Sequence, residues 1–70
     1  SITEQFGSRV KQLRERCGLT QEELAEASQL DRTYISSVER GHRNVSLRAI
    51  ESIANALNVS LRDLFDNLGK

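Results

Sequence analysis

The amino-acid sequence predicts an all-α fold, a compact arrangement of five helices in one domain over residues 1–70. Seventy residues with 37% hydrophobic content can enclose one small core. Apolar residues recur at spacings of three and four, as they do on one side of a helix. The period-two alternation typical of a half-buried strand is absent from the sequence. Ser, Thr and Asp residues at capping positions then divide the chain into separate helices.

Helix 1 is expected at about residues 3–17. Its apolar stripe consists of Ile2, Phe6, Val10, Leu13 and Cys17, at spacings of four, four, three and four. Gly18 follows the stripe and is suited to the left-handed conformation that commonly ends a helix. The basic residues of this segment are expected on its outer side.

The starts of the other four helices share one pattern, in which an apolar residue precedes the cap and another lies four residues into the helix. The caps are Thr20, Asp31, Ser46 and Ser60. They predict helices at about 21–28, 32–40, 47–57 and 61–67. Glu23 has the spacing to complete a capping box with Thr20, and the carboxylate of Asp31 is expected to cap helix 3. Helix 4 is expected to bury Leu47, Ile50, Ile53, Ala54 and Leu57.

The charged residues balance overall but are unevenly distributed. Ten basic and ten acidic side chains give a formal net charge of zero, which argues against simple electrostatic binding to nucleic acid. Residues 1–20 and residues 31–48 nevertheless each carry four basic and two acidic side chains, a charge of +2. Residues 21–30 carry three Glu and no base. Positive charge is therefore grouped around helix 3.

Helix 3 is the candidate functional element. Ile35 and Val38 fall on one side of it by the 3.6-residue period. The polar residues on the other side or its flanks are Arg32, Thr33, Ser36, Ser37 and Arg40. A short helix with two apolar anchors and outward hydroxyl and guanidinium groups suits the major groove of DNA. The sequence therefore predicts double-stranded DNA as the ligand.

Other classes of function lack the residues they need. Cys17 and His42, the single Cys and the single His, cannot make an internal disulfide, a metal site or a nucleophilic catalytic set. We therefore expect no enzyme activity, no metal and no cofactor. No apolar run is long enough for a signal peptide or a membrane span, so a soluble cytoplasmic protein without membrane contact is expected.

Three spaced motifs match one known pattern. They are Gln21-x-x-Leu24-Ala25, Ile35-x-x-Val38-Glu39-x-Gly41 and Arg43-Asn44-x-Ser46-Leu47. They resemble the helix-turn-helix regulators of the Cro and phage-repressor type (XRE-like), over about residues 6–65. Residues 31–36 with Arg43 and Asn44 look most like the controller proteins of restriction–modification systems. The resemblance implies a lambda-repressor-like domain with the helix-turn-helix at helices 2 and 3, acting as a sequence-specific transcriptional regulator.

The chain departs from this family at two positions. Gln29 stands where many members have Gly, so we expect it either to adopt a positive φ at some energetic cost or to give the turn a slightly different geometry. Val45 stands where many have Pro, and it serves as the apolar residue before the cap of helix 4. The change at Val45 affects no expected function. A third departure, the shortage of net positive charge, matters most because it lowers the expected nonspecific affinity for DNA.

The resemblance implies DNA contacts for nine residues. They are Gln21, Arg32, Thr33, Tyr34, Ser36, Ser37, Arg40, Arg43 and Asn44. Gln21, at the start of helix 2, is expected to bond a phosphate. Arg32 can donate a bidentate pair to guanine, and the methyl group of Thr33 can touch a thymine methyl. Ser36 and Ser37 can bond a base edge, a phosphate or only water.

The remaining residues have less specific expected roles. The ring of Tyr34 could pack on a neighbouring helix, or its hydroxyl could bond a phosphate. Arg43 and Asn44, in the loop after helix 3, are expected to face the DNA backbone and fix orientation. Arg40 is a weaker candidate of the same kind. Glu39 is expected to form a structural ion pair or cap a backbone group, because phosphates would repel it.

Helix 5 carries more apolar surface than a small domain readily covers. The predicted homodimer interface consists of Val59, Leu61, Leu64 and Phe65. The alternative is that these residues, with Leu68, belong to the core. A homodimer would place two copies of helix 3 in successive major grooves and bind an inverted-repeat operator. RNA polymerase is a further candidate partner, because an operator near a promoter can block or recruit it.

A function of a different class is also compatible with the sequence. Some helix-turn-helix domains are adaptors or antitoxins that bind a protein partner, here through helix 5. The neutral net charge and the apolar helix 5 fit that alternative. The hydroxyl-rich helix 3 with Arg32 near its start is not explained by it.

Overall fold

A computed structural model describes residues 1–69, and this part of the chain forms five α-helices. They are α1 (Ile2–Arg16), α2 (Gln21–Ser28), α3 (Arg32–Glu39), α4 (Leu47–Leu57) and α5 (Leu61–Leu64). Helix α3 packs mainly against α1 and α2, and α4 packs against α2 and α5. The predicted all-α fold with five helices is confirmed within residues 1–69.

The observed bounds of α2 and α4 coincide with the predicted ones, and the other three helices differ. Helix α1 begins and ends one residue earlier than predicted, because the Ser1 hydroxyl accepts from the Glu4 N–H and Cys17 is already the C-cap. Helix α3 ends at Glu39, with Arg40 as its cap. Helix α5 makes one turn, after which Asp66 N–H bonds the Asp63 carbonyl oxygen at 3.2 Å in a tighter turn.

The helix caps follow the sequence prediction in three of four cases. The Glu23 N–H donates to Thr20 Oγ1 at 3.0 Å and the Thr20 N–H donates to Glu23 Oε1 at 2.8 Å, which completes the predicted capping box. Ser46 and Ser60 accept from the N–H groups three residues on, at 3.1 and 3.0 Å. The prediction for Asp31 was wrong, because its carboxylate is exposed and makes no cap hydrogen bond with the described residues.

One core joins all five helices. The largest fully buried side chains are Val10, Leu24, Ile35, Val38, Ile53 and Leu64. Leu64 is 0% exposed, so it has no surface to offer to a second copy, and its assignment to the dimer interface was wrong. Its position four residues after the cap of α5 turns it inward, where it belongs to the core that the sequence allowed as the alternative. Val59 is half-buried and packs against the same core.

Leu47 differs most from its predicted environment. It was expected to be buried, and it is 85% exposed. It is the first residue of α4 and lies about a third of a turn from the middle of the buried stripe formed by Ala49, Ile53 and Leu57. The apolar side chain of Leu47 is therefore hardly buried within this protomer.

Gly7 allows α1 and α3 to approach closely. A Cβ atom at this position would collide with the Val38 carbonyl oxygen and lie 2.8 Å from that of Glu39. Both oxygens belong to the backbone at the end of α3 and cannot turn aside as a side chain could. Gly7 therefore sets how closely the C-terminal end of α3 rests on α1.

Two kinds of feature are absent from residues 1–69. No helix there combines the length and the hydropathy that crossing a membrane requires. No group of three or more His, Cys, Asp and Glu side chains in the same residues is placed to hold a metal ion.

Candidate nucleic-acid interface

Helix α3 is held by its apolar side and exposes its polar side. Ile35 and Val38 are 0% and 1% exposed, which fixes the rotation of the helix about its axis. Arg32 and Thr33, at its first two positions, are exposed. The predicted contact residues farther along it are the half-buried Ser36 and Ser37 and the exposed Arg40. The arrangement presents hydroxyl and guanidinium groups on one side of a short helix.

The C-terminal end of α3 is anchored by hydrogen bonds to Glu39. Arg14 of α1 donates from Nε to Glu39 Oε2 at 2.7 Å and from Nη2 to Oε1 at 3.1 Å. Gln21 of α2 donates from Nε2 to the same Oε1 at 3.0 Å. The side chains of Arg14 and Glu39 are 11% and 3% exposed. The predicted structural ion pair of Glu39 is confirmed. Together with the hydrogen bond from Gln21, it connects the first three helices.

Arg14 occupies a different place from the one expected for it. The sequence placed it among the basic residues on the outside of helix 1, whereas its guanidinium is enclosed and also donates to the Leu19 carbonyl oxygen at 2.7 Å. The hydrogen bond to Glu39 raises the pKa of Arg14 above its ordinary value, against the opposing effect of burial. Its charge is therefore neutralised inside the protein and contributes little to the positive surface around α3.

Gln21 stands at the first position of α2, where the sequence predicts a phosphate contact. The bond to Glu39 fixes which end of its amide is the nitrogen, because a carboxylate only accepts. One amide N–H is used by Glu39, and the second remains for another acceptor. The phosphate contact stays a prediction, and the Gln21 side chain is oriented by α3.

The turn between α2 and α3 forms with a positive φ at Gln29, the first of the two possibilities that follow from the lack of Gly at this position. Gln29 adopts the left-handed region, with φ 59° and ψ 34°. Its backbone N–H bonds the Glu26 carbonyl oxygen at 3.2 Å, and the next residue, Leu30, bonds back to Ala25 at 3.0 Å. The turn thus forms with Gln in the position where many family members have Gly.

The loop after α3 returns to the same side of the molecule. The guanidinium carbon of Arg43 lies over the ring of Tyr34, 5.2 Å from its centroid. Asn44 is exposed beside it. The structure therefore places the predicted loop contacts next to α3, with Arg43 against the first half of that helix.

A second exposed feature adjoins this loop. We call it the apolar surface, and it consists of Ile2 (55% exposed), Leu47 (85%), Leu61 (50%), Phe65 (39%) and the half-buried Ile50. These residues line two shallow concavities that share Ile50 and Phe65. Arg43 and Asn44 line the first of these as well. Of the predicted dimer residues, the apolar surface contains Leu61 and Phe65.

Residues 10–64 match the family model described as Helix-turn-helix. This chain belongs to the helix-turn-helix family. The control protein C.MunI of a Mycoplasma species is 47% identical over 66 residues, which cover 93% of this chain and 89% of that protein. The control protein C.BamHI of Bacillus amyloliquefaciens is 52% identical over 62 residues, covering 87% and 76%. The crystal structure of the restriction–modification controller C.AhdI from Aeromonas hydrophila has a TM-score of 0.88 at 51% identity, covering 90% of this chain and 96% of that one.

This helix-turn-helix protein is a DNA-binding transcriptional regulator, similar to controller proteins. Its relatives are regulators and not enzymes. The matched segment begins within α1 and ends at the last residue of α5, so it includes α2, the turn and α3. The contacts of individual residues with DNA remain predictions.

Proposed function

We propose that this protein is a homodimeric controller that binds an inverted-repeat operator in duplex DNA and regulates transcription there, in the cytoplasm. The observation that supports the proposal is that α3 buries its apolar side and exposes its polar side. Ile35 and Val38 are buried, whereas Arg32 and Thr33 are exposed and their side chains make no hydrogen bond or ion pair with the described residues. Free donors on a firmly held helix suit binding to base edges in the major groove.

The size of one protomer supports a pair of copies on the operator. The longest dimension of the Cα trace is 30 Å. Successive major grooves on one side of B-DNA lie about 34 Å apart, and each needs its own recognition helix. One protomer with one such helix cannot occupy both grooves. A two-fold pair would supply the second helix, and its symmetry would match an inverted repeat.

The apolar surface is the proposed contact between the two copies. Exposed Leu47, Leu61 and Phe65 lie together there, and Phe65 stacks on the Phe6 ring with centroids 5.5 Å apart. Leu47 leaves 85% of its surface exposed in one protomer, and covering it would stabilise a dimer. Because Arg43 borders the same surface, the interface would lie beside the DNA-contacting loop.

A selection from random duplex DNA at fixed, moderate salt tests the proposal. We expect the enriched sequences to share an inverted repeat whose half-sites are about one helical turn apart, centre to centre. Binding without any enriched motif would contradict sequence-specific control. That outcome would favour the adaptor or antitoxin alternative, in which the apolar surface binds another protein.

Sedimentation of Leu47→Glu tests the dimer contact. Leu47 makes little contact within its own protomer, and an acidic residue is favoured at the start of a helix, so the variant should remain folded. We expect it to be monomeric and to bind the selected operator more weakly, as should Leu61→Glu. Asn55→Glu is the matched control, because it adds the same charge to an exposed position of α4 outside the apolar surface. If the Leu47→Glu variant still forms a dimer, the interface lies elsewhere on the protein.

RNA polymerase is proposed as a partner only through the position of the operator. A dimer bound over a promoter would exclude the polymerase, and one bound upstream could recruit it. Transcription in vitro from templates with the selected operator at these two positions would distinguish the outcomes. Equal transcription with and without the protein on both templates would contradict control of initiation.

A further inference from the structure

The contact between Arg43 and Tyr34 holds a cation without using its hydrogen-bond donors. The guanidinium carbon lies 5.2 Å from the ring centroid. An aromatic ring attracts a cation through its quadrupole, so the contact does not require a conventional hydrogen bond from any of the five N–H groups. Arg43 makes no hydrogen bond or ion pair within residues 1–69. Its donors are therefore free while its side chain is restrained.

Tyr34 is a firm support for this contact. It lies on α3, is half-buried and packs against the core, whereas Arg43 lies in the non-helical segment 41–46. A long exposed side chain loses much rotational freedom when it binds a fixed target. A ring that already restrains Arg43 reduces that loss. The Tyr34 hydroxyl makes no hydrogen bond with any described residue, so the structure gives it no comparable role.

We propose that Tyr34 is a positioning residue whose ring holds the Arg43 guanidinium ready to donate to a backbone phosphate of the operator. The hydroxyl of Tyr34 is not needed for this role. The inference rests on the proposed function, because the phosphate belongs to operator DNA. It assigns Tyr34 a partner, Arg43, that its position on α3 alone does not indicate.

The first test uses the free protein and needs no DNA. An aromatic ring shifts the NMR signals of protons above its face, and Tyr34 is the single Tyr in a chain without Trp. We expect the side-chain protons of Arg43 to be shifted upfield in the wild type and in Tyr34→Phe, and to return to ordinary values in Tyr34→Leu. Unshifted Arg43 protons in the wild type would overturn the proposal.

The second test is a double-mutant cycle measured on the selected operator. Arg43→Ala should weaken binding about tenfold or more, the usual effect of removing a hydrogen bond to a charged group. Tyr34→Leu should weaken it about two- to fivefold, the range of an exposed cation–π contact. In the Arg43→Ala background Tyr34→Leu should add no further loss, and Tyr34→Phe should rescue the affinity lost in Tyr34→Leu. Additive losses, or a Tyr34→Phe variant as weak as Tyr34→Leu, would overturn the proposal.

Salt dependence identifies the acceptor on the DNA. Loss of one phosphate contact lowers the slope of log K against log salt concentration by about one. We expect that change for Arg43→Ala. An unchanged slope with an altered selected motif would show a base contact instead and overturn the phosphate assignment. A wild type that selects no operator would overturn the proposed function and this role with it, whereas the NMR test would still report on the contact itself.

Discussion

The two ends of α3 hold their polar side chains in different ways. At the C-terminal end, both carboxylate oxygens of Glu39 accept hydrogen bonds, from Arg14 and from Gln21, and the Glu39 side chain is 3% exposed. At the N-terminal end, Arg32 and Thr33 are exposed and their side chains make no hydrogen bond with any described residue. One end of the helix is fixed by its neighbours, and the other is open to a ligand.

This difference shows why residue type alone does not identify a DNA contact. Arg14 and Arg32 carry the same group, but Arg14 donates to Glu39 and to the Leu19 carbonyl oxygen, so three of its five N–H donors are already used. Arg32 keeps its donors for an external acceptor. A polar group that is satisfied inside the protein sets geometry, and one that is unsatisfied at the surface can bind. The four predictions below test the two ends separately.

The largest effect is expected from Arg14→Ala at the anchored end. The substitution leaves the enclosed carboxylate of Glu39 with Gln21 alone, and removing one partner of a buried ion pair costs about 3–5 kcal/mol of unfolding free energy. Urea denaturation measures the loss. Arg16→Ala is the matched control, because Arg16 is exposed on the same helix and should change stability by less than about 0.5 kcal/mol. Equal stability of the two variants would contradict an anchoring role for Glu39.

Gly7→Ala should also destabilise the anchored end. Alanine favours a helix over glycine by about 1 kcal/mol, so an open position would gain stability. Here the added Cβ collides with the backbone of α3, and displacing that helix should cost about 1–3 kcal/mol net. Ser8→Ala, at the exposed neighbouring position, serves as the control in the same urea series. A Gly7→Ala variant more stable than the wild type would show that α3 can move away from α1 at little cost.

Arg32→Ala, at the open end, should weaken DNA binding and leave the stability of the protein nearly unchanged. The unfolding free energy should change by less than about 0.5 kcal/mol, because Arg32 is exposed and has no partner among the described residues. Affinity for the selected operator should fall by about 1–3 kcal/mol, with relaxed preference at the base pair that Arg32 contacts. Titration with the selected and shuffled duplexes measures both. Arg62→Ala on α5 is the control, and an equal loss there would contradict base recognition by Arg32.

The local features of the fold could be predicted from the sequence because each depends on nearby residues. The caps at Thr20, Ser46 and Ser60 involve an N–H group three residues away, and the positive φ of Gln29 follows from its place in the turn. Helix α5 ended early because only its first turn contributes a fully buried residue, Leu64, to the core. Apolar content alone did not indicate that limit.

The features that organise the candidate site could not be predicted, because they join distant segments. Arg14 and Glu39 are 25 residues apart in sequence, and the contact of Arg43 with Tyr34 depends on how the loop turns back. Periodicity identified the polar side of α3 without showing which of its side chains are already satisfied. The exposure of Leu47 was missed for a related reason, since an apolar residue at the edge of a stripe can face either way.

The smallest effect is expected from Asp31→Ala, at the cap of α3. Asp31 makes no cap hydrogen bond within the described chain, so its charge contributes only through the helix dipole, and its loss should cost less than about 0.5 kcal/mol of unfolding free energy. Ser46→Ala removes a formed cap bond of 3.1 Å and should cost about 1 kcal/mol. Because Asp31 adjoins Arg32, removing its negative charge should also strengthen operator binding, most clearly at low salt. Urea denaturation and operator titration of both variants measure these effects. If Asp31→Ala cost as much stability as Ser46→Ala and weakened DNA binding, Asp31 would be an anchor of α3, and the open end would begin only at Arg32.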